Sequence, residues 1–170
     1  CRGGSPRRAA PIDIQPMGPR HADRVLEIYG EGIATGVATF DTKIPDWTAW
    51  DSAHRPDCRF VALVDGEVAG FYKATRLPGR VAHVAQLGTL AVDPRRHGQG
   101  VAPAMVGDAI ERLKAEGIRR IELYAEADNE RGLRFYRKLG FVEEGRLRDF
   151  YKRAHQDHYV DELVLGLLLP

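Results

Sequence analysis

The sequence is poor in several features that mark particular classes of protein. Two cysteines in 170 residues, Cys1 and Cys58, make no disulfide framework, and the reducing cytoplasm is the expected compartment. The net charge of +1 provides no overall field towards nucleic acid or a membrane surface. No apolar stretch approaches the length of a membrane span, and the run at residues 163–169 is far too short. We therefore expect a cytoplasmic protein with no nucleic-acid or membrane partner.

Motifs for metals and nucleoside triphosphates are missing too. The Gly-Lys-Ser/Thr ending of a P-loop does not occur after the glycine-rich segment near residue 100. His155, Asp157 and His158 surround an expected turn, but they lack the ligand spacing found on helices. We expect no bound metal.

The composition is that of a globular domain, with 44% hydrophobic and 29% charged residues. The length fits one domain with a core of its own. Residues 1–11 are rich in Gly, Pro and Arg without an apolar centre, so we expect a disordered leader or a cloning remnant there. A single domain over residues 12–170 is the prediction.

Apolar periodicity and turn residues predict an α/β (α+β) fold. The expected order is strand, two helices, three strands, helix, strand, helix and two strands, which makes a mixed, mostly antiparallel sheet of about seven strands with helices on both faces. The predicted strands cover residues 12–16, 58–64, 68–75, 81–92, 118–125, 141–152 and 159–168. The predicted helices start near Pro19, after Asp46, at residue 101 (ending at 116) and at Asp128 or Asn129 (ending at 139).

A glycine-rich loop joins the fourth predicted strand to the third predicted helix. It consists of His97, Gly98, Gln99, Gly100, Val101 and Ala102. Backbone N–H groups at a helix N-terminus are unpaired and partly positive, and glycines let that backbone approach a phosphate closely. The loop predicts a phosphate-binding site, and the alternative is a plain glycine-rich turn.

A second segment, residues 129–141, reads Asn-Glu-Arg-Gly-Leu-Arg-Phe-Tyr-Arg-Lys-Leu-Gly-Phe. Both segments together resemble the GNAT superfamily of N-acetyltransferases. The signatures of that family are Val-x-Pro, then Gln/Arg-x-x-Gly-x-Gly/Ala opening a helix, and later Asn-x-x-Ala-x-x-x-Tyr-x-x-x-Gly-Phe. The resemblance spans residues 12–168. Residues 29–40 further resemble the branch with phosphinothricin acetyltransferases and related amino-acid N-acyltransferases, and Tyr-Val-Asp-Glu-Leu at 159–163 is common in the family.

The resemblance implies acetyl-CoA as co-substrate, direct attack by the primary amine of a small amino-acid-like acceptor in a ternary complex, and a homodimer. It assigns the pantetheine contact to the backbone of Leu90, Ala91 and Val92, and the pyrophosphate contact to residues 97–102. Asn129 contacts the CoA arm, caps a helix, or does both. Tyr136 protonates the departing CoA thiolate as general acid, or packs beside Phe135.

The sequence departs from the family pattern in two respects. His97 stands where Gln or Arg is usual, which affects a side-chain contact but not the backbone of the loop. The two glutamate positions used as general base in the family hold Leu87 and Tyr124. The remaining candidate bases, on the same strand faces, are His83, Glu122 and Glu126, unless these are ordinary exposed strand residues and a water chain carries the proton.

Two other functions compete with a small-molecule acetyltransferase. One is acetylation of a protein or peptide N-terminus, since sequence does not reveal the width of the acceptor groove. The other is an acyl-CoA-binding module without turnover, which the missing glutamates favour and the tyrosine at 136 opposes.

Overall fold

The computed structural model describes residues 10–35, 43–153 and 156–170. Its seven strands form one sheet in the order β1-β2-β3-β4-β5-β7-β6, and each adjacent pair is antiparallel except β4 and β5. The strands are β1 (Ile12–Pro16), β2 (Arg59–Val64), β3 (Glu67–Arg76), β4 (Val84–Val92), β5 (Arg120–Glu126), β6 (Val142–Lys152) and β7 (Tyr159–Leu168). The predicted mixed, mostly antiparallel sheet is confirmed. Most of the predicted leader, residues 1–9, lies outside the described residues.

Four helices cover the two faces of the sheet, as the pattern predicts. They are α1 (Ala22–Thr35), α2 (Trp47–Ala53), α3 (Val101–Ala115) and α4 (Glu130–Lys138). One apolar cluster joins α1 and α2 to the sheet around Ile28 and Trp50, and we call this side the α1 face. The other cluster joins α3 and α4 to the sheet around Met105 and Leu133, and this side is the α3 face. In the described part of the chain, no helix combines the length and apolar character needed to cross a membrane.

The helix boundaries follow from their capping residues. The Asp46 carboxylate accepts a hydrogen bond from the Ala49 N–H (2.8 Å) and starts α2. Asn129 does the same for α4 through the Gly132 N–H (3.1 Å). Gly117 follows α3 with φ of 83°, the left-handed conformation that commonly ends a helix. Asp46 and Asn129 stand at helix starts that the sequence predicts, where Asn129 is one of two candidates.

The start of β4 differs from the prediction of a strand over residues 81–92. Gly79 has φ of 64° and opens a 3-10 turn, Gly79–Val81, which the Ala82 N–H closes on the Gly79 carbonyl (3.1 Å). The strand therefore begins at Val84, and His83 precedes it. Apolar Val81 extends the apparent strand in the sequence, but the glycine determines the local backbone.

The parallel strands β4 and β5 are joined over only three residue pairs, from Val84–Arg120 to Gln86–Glu122. Beyond Gln86, β4 carries a bulge: Tyr72 of β3 pairs with Leu90, yet Ala74 pairs with Leu87, so β4 has one residue more. β5 stays paired with β7 as far as Glu126. The sheet consequently splits in its middle, with one half ending in β4 and the other beginning with β5.

Candidate active site

A cavity of about 650 Å³ occupies the gap where β4 and β5 diverge. Leu87 and Tyr136 line it from the α3 face, whereas Glu126 and Glu162 alternate along their strands with α3-face residues and line it from the α1 face, so the cavity is lined from both faces of the sheet. Its lining comes from β3, β4, β5, α4, β6 and β7, and includes Lys73, Gln86, Glu126, Asn129, Tyr136 and Glu162. An opening between two halves of one sheet is a place where two substrates can meet from opposite sides.

The glycine-rich loop leads from β4 into the N-terminus of α3. Gly98 and Gly100 have φ of 78° and 82°, and Gly100 is the N-cap residue of α3. Within the described residues, no hydrogen bond engages the N–H groups of Gly98, Gly100, Val101 or Ala102. An ideal Cβ at Gly98 or Gly100 would have open space around it. The loop thus presents several unpaired donors at the positive end of a helix, which suits a pyrophosphate. The exposed His97 lies beside them.

Asp93 fixes the start of this loop. Its side chain is only 3% exposed and accepts hydrogen bonds from the Arg95 N–H (2.9 Å) and from the guanidinium groups of Arg95 and Arg24. The hydrogen bonds from Arg95 lower the pKa of Asp93, so it is ionised at neutral pH. A buried anion at the end of β4 therefore holds the turn that carries residues 97–102.

Replacing Asp93 with alanine should lower the free energy of unfolding by about 2 kcal/mol, because it leaves guanidinium and N–H donors without their buried acceptor. Urea unfolding measures the change. The exposed ion pair of Arg55 and Asp57 provides the control, since Asp57→Ala should leave stability close to that of the wild type. Equal effects of the two substitutions would contradict the anchoring role of Asp93.

The edge of β4 that faces β5 is unpaired beyond Gln86 and can therefore bind a ligand. Leu90, Ala91 and Val92 pair with β3 on one side, but the ladder to β5 has already ended on the other. Their backbone groups on the open side can therefore pair with the amides of an extended ligand, as an added strand would. This is the arrangement expected for a pantetheine arm.

Asn129 and Tyr136 line the cavity from the α4 side. Asn129 caps α4, and it also reaches the cavity, so both uses of this residue are compatible. The Tyr136 ring packs at 5.1 Å from Phe135 and 5.7 Å from Phe141. Burial raises the pKa of Tyr136 to about 12, so its hydroxyl stays protonated at neutral pH. A half-buried ring with a protonated hydroxyl in the cavity fits both packing and proton donation.

Two buried glutamates lie directly opposite each other at the other wall of the cavity. Glu126 on β5 and Glu162 on β7 are cross-strand partners, 5% and 3% exposed. Burial raises the pKa of each carboxyl to about 7. Arg153 donates to the Glu126 carboxylate (2.8 Å) and to Asp128 (2.8 Å). A carboxyl that titrates near neutral pH is suited to accept a proton from an amine.

The other predicted bases are not brought to this cavity. His83 is exposed before β4, and its carbonyl accepts from the Arg119 N–H (2.8 Å) where β4 and β5 begin, at the end away from the gap. Glu122 lies on the last joined pair of β4 and β5, forms an ion pair with Arg120 (3.4 Å), and does not line the cavity. Of the three candidates, only Glu126 does.

Sequence reasoning missed Glu162. The sequence does contain a feature that indicates it: Glu162 directly precedes the apolar run of β7. The alternation of side chains along β7 places it on the α1 face of an interior strand. A charge in a central strand is unusual unless it has a partner or a role. Of the two glutamate positions of the family, Leu87 is buried in the cluster on the α3 face and Tyr124 lines the cavity.

Residues 27–141 match the acetyltransferase (GNAT) family, over more than half of the chain, and the chain belongs to that family. Among curated relatives, it is 39% identical over 87 residues to a mycothiol acetyltransferase of Brachybacterium faecium, covering 51% of this chain and 26% of that protein. It is 30% identical over 130 residues to an uncharacterised N-acetyltransferase of Methanocaldococcus jannaschii, covering 71% of this chain and 56% of that protein. The chain thus spans only a quarter to about half of these relatives.

Solved structures share the fold along nearly the whole chain. A crystal structure provisionally described as a phosphinothricin N-acetyltransferase has a TM-score of 0.82 at 23% identity, covering 94% of this chain and 99% of that one. The ribosomal-protein-alanine N-acetyltransferase of Brucella melitensis has a TM-score of 0.81 at 20% identity, covering 92% and 99%. The Salmonella typhimurium protein yncA, solved with its cofactor acetyl-CoA, has a TM-score of 0.80 at 18% identity, covering 94% of each chain.

Proposed function

We propose that the chain is an N-acetyltransferase that moves the acetyl group of acetyl-CoA to the primary amine of a small, amino-acid-like acceptor. One observation carries the proposal: the cavity between β4 and β5 reaches both faces of the sheet and has a phenol at one wall and two buried carboxyls at the other. A thioester and an amine entering from opposite faces would meet between a proton donor and a proton acceptor.

Acetyl-CoA fits the residues on the α3 face. The pyrophosphate would be held by the unpaired N–H groups of Gly98, Gly100, Val101 and Ala102, at the N-terminus of α3. The pantetheine amides would pair with the open edge of Leu90, Ala91 and Val92. His97 and Gln99 flank the pyrophosphate, and Asn129 faces the CoA arm. Together they would place the thioester at the gap between β4 and β5, within reach of Tyr136.

The transfer forms a C–N bond and breaks a C–S bond. The amine must first lose a proton, because an ordinary ammonium of pKa near 10 is only about one part per thousand neutral at pH 7. A backbone N–H of the bulged part of β4 would donate to the oxygen of the tetrahedral intermediate. The Tyr136 hydroxyl would donate its proton to the departing thiolate, and the carboxyl wall would take the amine's proton.

An amino-acid-like acceptor suits the charges of the cavity. The wall formed by β5 and β7 carries the two carboxyls and would attract an ammonium, whereas Lys73 on β3 would attract a carboxylate. The limited volume favours a small molecule. A homodimer and a cytoplasmic location stay predictions; light scattering of the purified chain measures the first.

The test is thiol release from acetyl-CoA in the presence of a panel of amines. The panel contains amino acids, amino-acid analogues, polyamines, aminoglycosides and a short peptide with a free N-terminus, and mass spectrometry identifies each product. We expect amino acids or their analogues to give the highest kcat/KM. Acetylation of the peptide alone would favour an N-terminal acetyltransferase. Binding of acetyl-CoA without turnover of any amine would contradict the proposal.

A further inference from the structure

The two carboxyls of the cavity wall are not equivalent. Glu126 is bound by Arg153, which also binds Asp128. Glu162 is at least as buried as Glu126, and within the described residues its Oε2 atom has no hydrogen-bond partner. A buried polar atom without a partner costs free energy, so its retention calls for an explanation. Glu162 lines the cavity, so the missing partner of its Oε2 atom can be a ligand bound there.

We propose that Glu162 is the catalytic base: its carboxylate binds the ammonium of the acceptor and takes the proton that the amine loses. Glu126 is a positioning residue, held in place by its ion pair with Arg153. This inference rests on the proposed acetyl transfer and deepens it, because it names the group that activates the acceptor.

Geometry favours Glu162 over its neighbour. Glu126 already accepts from a guanidinium, and a proton on that carboxyl would weaken the ion pair. Within the described residues no guanidinium binds Glu162, and an incoming ammonium would provide the partner that its Oε2 atom lacks. The proton balance then closes: the ammonium proton moves to Glu162, the amine nitrogen bonds to the acetyl carbon, and the C–S bond breaks as Tyr136 protonates the thiolate. The nitrogen loses its second proton as the amide forms, and that proton passes through solvent to the Tyr136 phenolate. Solvent returns each residue to its starting state.

Few charged groups face Glu162. Glu126 lies opposite on β5, and the uncharged Leu147 lies opposite on β6. Arg153, just after β6, and Asp128, just after β5, contact Glu126. Lys73 contributes to the same cavity from β3. Burial is the cause of the raised pKa of Glu162, about 7, which leaves a large fraction ionised at neutral pH.

The test compares Glu162→Gln with the wild type from pH 6 to pH 9.5, using the best amine of the panel. Glutamine keeps the size of the side chain but cannot take the proton. At pH 7 we expect kcat/KM to fall by about 100-fold or more. The variant can use only amine that is already neutral, and the neutral fraction of the amine rises about tenfold per pH unit. The difference in kcat/KM between wild type and variant should therefore shrink by about tenfold per pH unit above pH 7. Acetyl-CoA affinity should stay within about twofold.

A merely structural role for Glu162 would predict a deficit that is the same at each pH. It would also predict a less stable protein, whereas we expect Glu162→Gln to unfold at the same or a higher temperature, because a neutral amide is less costly to bury than a carboxylate. The matched control is Glu143→Gln, an exposed carboxyl of β6 outside the cavity, which should behave as wild type. The proposal is overturned if Glu126→Gln, and not Glu162→Gln, shows the pH-dependent deficit.

A second measurement separates this proposal from the proposed function. Carbon-13 NMR titration of the glutamate carboxyls needs no acceptor. Glu126 and Glu162 should both titrate near neutral pH, and we expect one of these two signals to disappear in Glu162→Gln. If no amine is acetylated, the proposed function fails, and the same titration still judges Glu162. An ordinary titration near pH 4 to 5 in the wild type would overturn the assignment of the base, whatever the amine assay shows.

Discussion

Replacing Tyr136 with phenylalanine should lower kcat by about 100-fold while leaving the Kd for acetyl-CoA within about twofold. The ring is packed by Phe135 and Phe141, so removal of the hydroxyl retains the local structure. What is lost is the proton donor for the CoA thiolate. A thiolate of pKa near 8.5 is a fairly good leaving group, which keeps the expected effect moderate for a general acid. Steady-state thiol release and calorimetric titration with acetyl-CoA measure the two quantities.

The pH dependence tests the same assignment. Because burial raises the pKa of Tyr136 to about 12, the phenol should remain a donor up to at least pH 10, and the wild type should show no loss of kcat from phenol ionisation below that pH. Tyr159→Phe is the matched control, since Tyr159 is an exposed tyrosine of β7. An acyl-CoA-binding module without turnover would show no difference between the two variants, and that result would contradict the enzymatic role.

Much of the fold follows from local rules that act within a few residues. Asp46 and Asn129 stand before apolar helical patterns, and Gly117 stands after one, so the helix boundaries could be predicted within a residue or two. The alternation in β5 likewise separates Ile121, Leu123 and Ala125, which pack on the α3 face, from the residues between them. The order of strands follows less directly, because the pairing of β5 with β7 joins segments far apart in the chain.

The candidate site was predictable only where a local motif describes it. The glycine-rich loop and residues 129–141 mark the acetyl-CoA side, since backbone donors and a helix start are local features. The base is a different problem. Glu162 comes close to Glu126 only through the register of β5 and β7. His83 and Glu122 do not reach the cavity, because β4 and β5 separate only after these two residues. Neither the register nor the point of separation is encoded in a short motif.

Replacing Gly100 with aspartate should weaken acetyl-CoA binding by about 100-fold, with only a small loss of stability. Asp is among the few residues that adopt the left-handed conformation of Gly100, where φ is 82°. Its negative charge also complements the positive end of α3, which offsets part of the strain at this positive φ. The same negative charge would lie a few ångströms from the pyrophosphate and repel it. The repulsion is roughly 1–2 kcal/mol per phosphate charge, for an effective dielectric constant between that of water and that of a protein surface. Calorimetric titration with acetyl-CoA measures the loss.

Gly117 offers the matched control at the opposite end of the same helix. Its φ of 83° is almost the same, and an ideal Cβ there also has open space. Gly117→Asp should bind acetyl-CoA as the wild type does, at a small cost in stability because a negative charge is unfavourable at a helix C-terminus. Gly100→Asn adds an uncharged side chain of the same shape, so its loss should be smaller than that of Gly100→Asp and much less dependent on salt. If Asp and Asn weaken binding equally, steric exclusion rather than charge is the cause; if neither weakens it, the pyrophosphate does not bind at this loop.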